Sequence, residues 1–302
     1  MSERGGPLLI VGIEQRSGTN FVFDVLKQHR DLRTPRSIFE NFLTLGSQQL
    51  VQYARGVVRH YPERWREREV AVAEVSRAIG DSLIAWLEHD AQMRDDEPHT
   101  RLLAKSPGTY HLMDFFTIFP DAYLILLVRD GRSVVESAFT GFGFTREWWT
   151  RRWIDGAREI LRLMDRPLPV GAKVLLLRYE DLITAFDATV EQLLDFADLE
   201  PEGFDMDAAR ALPIRGSSFT RGDEQEVHWN PLDKPADFDP LSRAADWSPQ
   251  LHERFDWTAG RYVERFGYRR TGTARTPATV ARNLGLDAIH WVRPWLTRRL
   301  AR

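Results

Sequence analysis

The sequence predicts an α/β fold, P-loop-like and three-layered: a central, mainly parallel sheet of about 4–5 strands flanked by helices, with helical insertions over the cleft. Short unbroken apolar runs at Leu8 to Val11, Leu124 to Val128 and Val174 to Leu177, with a further strand from Arg101, have the character of strands buried on both faces. Helical spacing of apolar residues or a helix-cap signal separates them. Between Val11 and Phe21, a turn holding Gly12 and Gly18 leads from strand into helix.

That turn carries the first chemistry. Gly12 and Gly18 allow a tight turn, and Ser17, Gly18 and Thr19 present unpaired N–H groups at a helix start, where the macrodipole also favours an anion. Arg16 adds a fixed charge with a fork of donors. The pattern is a phosphate-type cradle but not a Walker loop. Five residues separate the glycines, no Lys-Ser/Thr follows, and the cation precedes the Ser-Gly-Thr. Taken alone, Arg-Ser-Gly-Thr is equally compatible with an ordinary strand-to-helix turn and a surface arginine.

A second stretch, Leu124 to Ser137, repeats the strand-to-helix logic. Arg129 stands at the carboxyl end of its strand, where open α/β sheets bind ligands. Asp130 is placed to cap the next helix, with Ser137 about two turns along.

These two stretches resemble the sulfotransferase family, whose members use 3'-phosphoadenosine 5'-phosphosulfate (PAPS). The first is similar to the family's 5'-phosphosulfate loop and implies nucleotide contacts from Arg16, Ser17, Gly18, Thr19 and Asn20, with Phe21 at the adenine-stacking position. The second is similar to its 3'-phosphate motif, in which an Arg is followed eight residues later by a Ser. Arg129 and Ser137 keep that spacing, while Gly131 replaces the usual Pro. A third, Val174 to Leu182, resembles the following strand and Tyr-Glu-Asp and brings in Tyr179. A fourth, Ile214 to Gly222, resembles the late loop that returns to the 3'-phosphate and implies Arg221 and Gly222. The resemblance covers roughly residues 7 to 268, and four elements in this order are far more specific than any one.

Beyond the first helix, Asp31 to Arg36 holds a proline and reads as a loop or short strand. Ser37 is placed to cap a helical segment from Ile38, with Glu40 early in it. Tyrosylprotein and heparan sulfotransferases carry a base glutamate in a comparable place, so the resemblance makes Glu40 the leading base. A glutamate in a first helical turn is also favoured by the dipole alone.

Residues 48–95 read as a helical insertion of two long helices, with an apolar face through Val70, Val72, Val75, Ile79, Leu83, Trp86 and Leu87. The charge run from Glu63 to Glu69 reads as solvated surface. Arg101 to Pro107 reads as a strand entering a helix, with Ser106 as cap and Pro107 in the first turn, and Lys105 reaching the crevice from the strand end. Cytosolic sulfotransferases have Lys-Thr-His here, with the His as base. Pro107 occupies that position, which is similar to the branch that uses Glu. His111 reads as a packing or surface residue, and His228 as the second candidate base.

Phe142 to Trp153 interleaves aromatic and basic residues. At helical spacing these make an amphipathic helix, packed over the cleft or lining an acceptor pocket, rather than a nucleic-acid surface. Val174 to Leu177 reads as the last clear strand, Thr189 to Leu199 as a helix with Leu193, Leu194 and Phe196 inward, and Leu251 to Phe266 as the final packed helix. The expected organisation is a single domain over 1–272 and a basic helical tail over 273–302. The tail's six arginines against Asp287 leave a net of +5. Either it packs as a surface helix, the reading preferred, or it makes peripheral contact with an anionic membrane.

The whole chain has 302 residues, 43% hydrophobic, 28% charged and net charge −3, which gives no global drive towards nucleic acid or membrane. The absence of cysteine excludes disulfides, thiol catalysis and Cys-based zinc, and suits a reducing cytoplasm. No stretch has the length of a membrane span, and the expectation is a cytoplasmic, bacterial enzyme. The implied donor is PAPS, the product 3'-phosphoadenosine 5'-phosphate (PAP), with no metal required. Acceptors stay open among small-molecule, glycan, lipid and peptide hydroxyls. A P-loop-type kinase would need the missing Walker lysine, and a non-catalytic nucleotide-binding protein would keep the cradle without the base.

Overall fold

The computed structural model describes residues 5–62, 65, 67–94, 96–213, 215, 217–221, 224–228, 239–272 and 276–292. The elements in chain order are β1 (Leu8–Gly12), α1 (Thr19–Leu26), β2 (Leu32–Arg33), α2 (Ser47–Val58), α3 (Arg68–Asp90), β3 (Arg101–Ser106), α4 (Phe115–Ile118), β4 (Tyr123–Val128), α5 (Gly131–Phe142) and α6 (Arg146–Met164). They continue with β5 (Lys173–Arg178), α7 (Tyr179–Thr184), α8 (Phe186–Phe196), α9 (Met206–Arg210), β6 (Ser217–Arg221), β7 (Glu224–His228), α10 (Pro249–Arg265) and α11 (Pro277–Asp287). Two compact units form, Met1–Arg129 with Asp155–Phe238, and Asp130–Ile154 with Asp239–Arg302.

The first unit holds the five-stranded sheet in the order β2-β3-β1-β4-β5, parallel throughout. Its central strands are apolar runs with no exposed face, so burial rather than alternation selects strand here. β1 lies between β3 and β4, with Val11 opposite both Ser106 and Leu126. The chain leaves β1 towards one side of the sheet and later returns to the other. That makes the carboxyl end of β1 the switch point at which open α/β sheets form a crevice.

In the second unit Asp130 caps α5 by accepting Arg132 N–H at 2.9 Å, as its position after a buried strand predicts. Trp153 is fully buried there, 5.9 Å from Phe255 and 6.1 Å from Phe266 between ring centres. α11, within the described part of the basic tail, is joined to α10 through Arg282 and Glu253, and through Arg254, which reaches Asp287 at 2.7 Å. Residues 273–275 and 293–302, with most of the tail's arginines, lie outside the described residues.

The structure corrects four local expectations. No helix begins at Ile38. The N–H groups of Ser37 and Ile38 donate to the Asp90 carboxylate and that of Asn41 to the Lys105 carbonyl, so distant acceptors take the donors a first turn leaves open. Nor does a helix follow Ser106. Gly108 intervenes, Thr109 Oγ1 donates to the Ile13 carbonyl at 3.2 Å, and His111 sits at φ 50° before a short 3-10 turn. α3 buries Ala71, Ser76, Gly80 and Leu87 instead of the larger face proposed, leaving Val70 and Trp86 exposed, because small residues permit the closest approach to the neighbouring backbone. Finally, β5 is not the last strand, since β6 and β7 pair as an antiparallel hairpin.

Candidate active site

The cradle forms between β1 and α1, at the switch point. Gly18 takes φ 97°, and a Cβ built there would lie 2.3 Å from the Tyr179 ring, so glycine is needed for both the turn and the space. Gly12 is needed for space alone. A Cβ on it would meet Ser17 Oγ at 2.4 Å and the Pro107 carbonyl at 2.8 Å, which lets the chain after β3 pass against the loop. Ser17 is fully buried, and its Oγ has no hydrogen-bond partner within the protein. A buried hydroxyl left unsatisfied costs about 1–3 kcal/mol, so its natural completion is an acceptor brought in by a ligand. Thr19 is buried at the first position of α1, and Asn20 and Phe21 are half-buried beside it. The Gly18→Ala protein is expected to lose roughly 2–4 kcal/mol of stability, from left-handed strain plus overpacking against Tyr179, read as a lowered midpoint in denaturant.

Arg129 completes the cradle from the end of β4. Its Nη1 donates to the Arg16 carbonyl at 2.9 Å, and its guanidinium lies 4.4 Å from the centre of the Tyr179 ring. Arg16 itself adopts φ 72°, strain of a kind that collects at ligand-binding turns. Phe21 meets Tyr179 edge to face at 6.3 Å and lies 6.4 Å from Phe186. Arg16, Ser17, Gly18, Thr19, Phe21, Arg129 and Tyr179, drawn from three separate stretches of sequence, are thus one cluster.

Beside it stands an ion pair. Lys105, on β3 next to β1, is only 3% exposed, and its Nζ lies 3.3 Å from Glu40 Oε1, whose side chain is 30% exposed. Burial pulls the Lys105 ammonium below the ordinary lysine value, and the Glu40 carboxylate opposes that shift. Arg215 adds a further unfavourable charge to Lys105 while itself making a bidentate pair with Asp24 on α1, at 2.6 and 3.0 Å. Arg215 and Asp24 escaped the sequence reading because they are 191 positions apart.

Ser137 is buried on α5, in the second unit. The backbone of Arg221 ends β6 and that of His228 ends β7, and Gly222 lies outside the described residues. His111 Nδ1 is buried without a partner, and its carbonyl accepts from Ser47 Oγ at 2.8 Å. Among the described residues no group of three His, Asp or Glu side chains could hold a metal ion, and no helix is long and apolar enough to cross a membrane.

Residues 7–203 match the sulfotransferase family model. The chain is 24% identical over 200 residues to a protein-tyrosine sulfotransferase of Drosophila melanogaster, covering 64% of this chain and 38% of that protein. It is 26% identical over 198 residues to protein-tyrosine sulfotransferase 1 of Danio rerio, covering 64% of this chain and 53% of that one. The chain therefore spans about two fifths to one half of the length of these curated relatives. The sulfotransferase domain from the curacin biosynthetic pathway superposes with a TM-score of 0.51 at 19% identity, covering 88% of this chain and 98% of that chain, a likeness of fold.

Proposed function

The chain belongs to the sulfotransferase family, and we propose that it moves the sulfuryl group of PAPS to a hydroxyl acceptor by in-line transfer with Glu40 as base. The observation that carries the reading is the cradle itself: a fully buried, unpartnered Ser17 hydroxyl beneath a Gly18 turn, with Arg129 chained to the Arg16 carbonyl. These groups fit a nucleotide carrying anionic groups at both its 5' and 3' positions. The family resemblance supports Ser17, Thr19 and the loop N–H groups for the 5'-phosphate and Arg129 for the 3'-phosphate. Phe21, beside Tyr179, takes the adenine face, and Asn20, Tyr179 and Gly222 complete the nucleotide site.

PAPS, when bound, supplies an activated sulfuryl group. A neutral hydroxyl is a weak nucleophile, so Glu40 Oε takes its proton as the new O–S bond forms. Negative charge then develops on the oxygen of the departing phosphate. Lys105 Nζ and Arg16 stabilise it from the wall of a low-dielectric crevice, where fixed charges act with little screening. The Glu40–Lys105 pair links the two roles, because one carboxylate both accepts the proton and holds the ammonium in place. The coupled appearance of PAP and sulfated acceptor, followed with radiolabelled PAPS across phenol, peptide, glycan and lipid hydroxyls, tests the reading. A purified protein that consumes PAPS with none of these would contradict transfer to a hydroxyl.

The buried Lys105 also sets a pH dependence. Its folded value lies below the ordinary 10.5. Within that window the unfolded chain holds a proton the folded chain has released, so this group's contribution to stability rises with pH. Its electrostatic help to transfer moves the other way and is lost as the ammonium deprotonates. The kcat/KM profile should therefore fall on the alkaline side before an ordinary lysine would titrate, and Lys105→Arg should move that limb to higher pH. An alkaline limb indifferent to Lys105→Arg would remove Lys105 from the charge-stabilising role.

A further inference from the structure

The segment that carries Glu40 belongs to no helix or strand, yet it is fixed on both sides of that residue. After it, Asn41 N–H donates to the Lys105 carbonyl at 3.0 Å. Before it, the Asp90 carboxylate accepts three hydrogen bonds, from Ser37 N–H at 2.9 Å, Ser37 Oγ at 2.5 Å and Ile38 N–H at 3.2 Å. Glu40 lies between the two attachments, with its carboxylate 3.3 Å from Lys105 Nζ.

Asp90 is the last residue of α3, a 23-residue helix. A carboxylate at that end faces the negative pole of the macrodipole and is the wrong charge for local stability. What offsets the cost is tertiary: the Ser37 and Ile38 donors hold the Asp90 carboxyl below its usual range. α3 is itself seated through buried Ala71, Ser76, Gly80 and Leu87, so Asp90 is presented from a packed element rather than a loop.

We propose that Asp90 is a positioning residue, which grips the backbone at Ser37 and Ile38 so that Glu40 stays on Lys105. On this account the helical insertion takes part in catalysis by placing the base, without itself touching the reacting atoms. The proposal rests on the reading of Glu40 as the base.

The test is the pH titration of the Lys105 Cε resonance in protein labelled with 13C-lysine, a readout that needs no acceptor. Glu40→Gln removes the partner that raises the Lys105 value, and should lower its midpoint by a few tenths of a pH unit, the scale of a partly exposed pair. Asp90→Ala should shift it in the same direction by about the same amount, and the double variant should match Glu40→Gln alone. Ser37→Ala, which removes one donor only, should give a smaller shift the same way and keeps the test available if Asp90→Ala does not fold. An Asp90→Ala midpoint equal to wild type, or shifts that add in the double variant, would overturn the proposal. If Glu40→Gln shifts Lys105 yet turns over at the wild-type rate, the base assignment fails instead, and Asp90 is left with a structural role only.

Discussion

Glu40→Gln is expected to lower turnover of PAPS with a hydroxyl acceptor by about 10²–10⁴-fold, the usual contribution of a positioned general base. The amide keeps the shape of the side chain and can still accept from Lys105 Nζ, now 3.3 Å from Oε1, but it cannot take a proton. Affinity for PAP should stay within about twofold, because the partner of the Glu40 carboxylate is Lys105. The two readouts together exclude a non-catalytic binding protein. A variant with unchanged turnover would move the base elsewhere, with His228 the next candidate.

Arg129→Ala should weaken PAP binding by roughly 100-fold or more, corresponding to about 3 kcal/mol. Arg129 is buried, and it is held in place before any ligand arrives, by the Arg16 carbonyl at 2.9 Å and by the Tyr179 ring at 4.4 Å. A charged group ordered in advance gives up little side-chain entropy on binding, so most of its attraction for a phosphate is realised. Truncation also withdraws the donor from the Arg16 carbonyl and should loosen the loop that carries Ser17 and Thr19. Calorimetry with PAP and with adenosine 5'-phosphate separates these effects. Loss of the 3'-phosphate contact alone should make the two nucleotides bind alike, whereas loosening of the loop should weaken both.

The parts of this site that were legible in the sequence are those built from local signals. Leu8 to Gly12 is an apolar run too short for a helix, and Gly18 followed by Thr19 marks where the helix must start. Asp130 is a cap whose partner lies two residues away. The helix predicted at the Glu40 segment does not form, for the converse reason. Its backbone donors are satisfied by Asp90 and by the Lys105 carbonyl, groups far away in sequence that no local pattern reports. α3 was misread in its face and not in its existence, since Trp86 looks like core in any periodic pattern but is 51% exposed. The β6–β7 hairpin did leave a signal, the Gly222-Asp223 pair between two polar-apolar runs, which the likeness to a family loop concealed. The Asp24–Arg215 pair left none, because bidentate pairing between distant residues has no periodicity.

On the proposed reading this cradle is built for a 3',5'-bisphosphate nucleotide rather than for a nucleoside triphosphate with magnesium. Calorimetric titration of the purified protein with PAP and with ATP plus magnesium tests it most directly. PAP is expected to bind at least about 100-fold more tightly, with an affinity that added chelator does not change. ATP binding equal to or tighter than PAP, and dependent on magnesium, would contradict it and return the cradle to the kinase class.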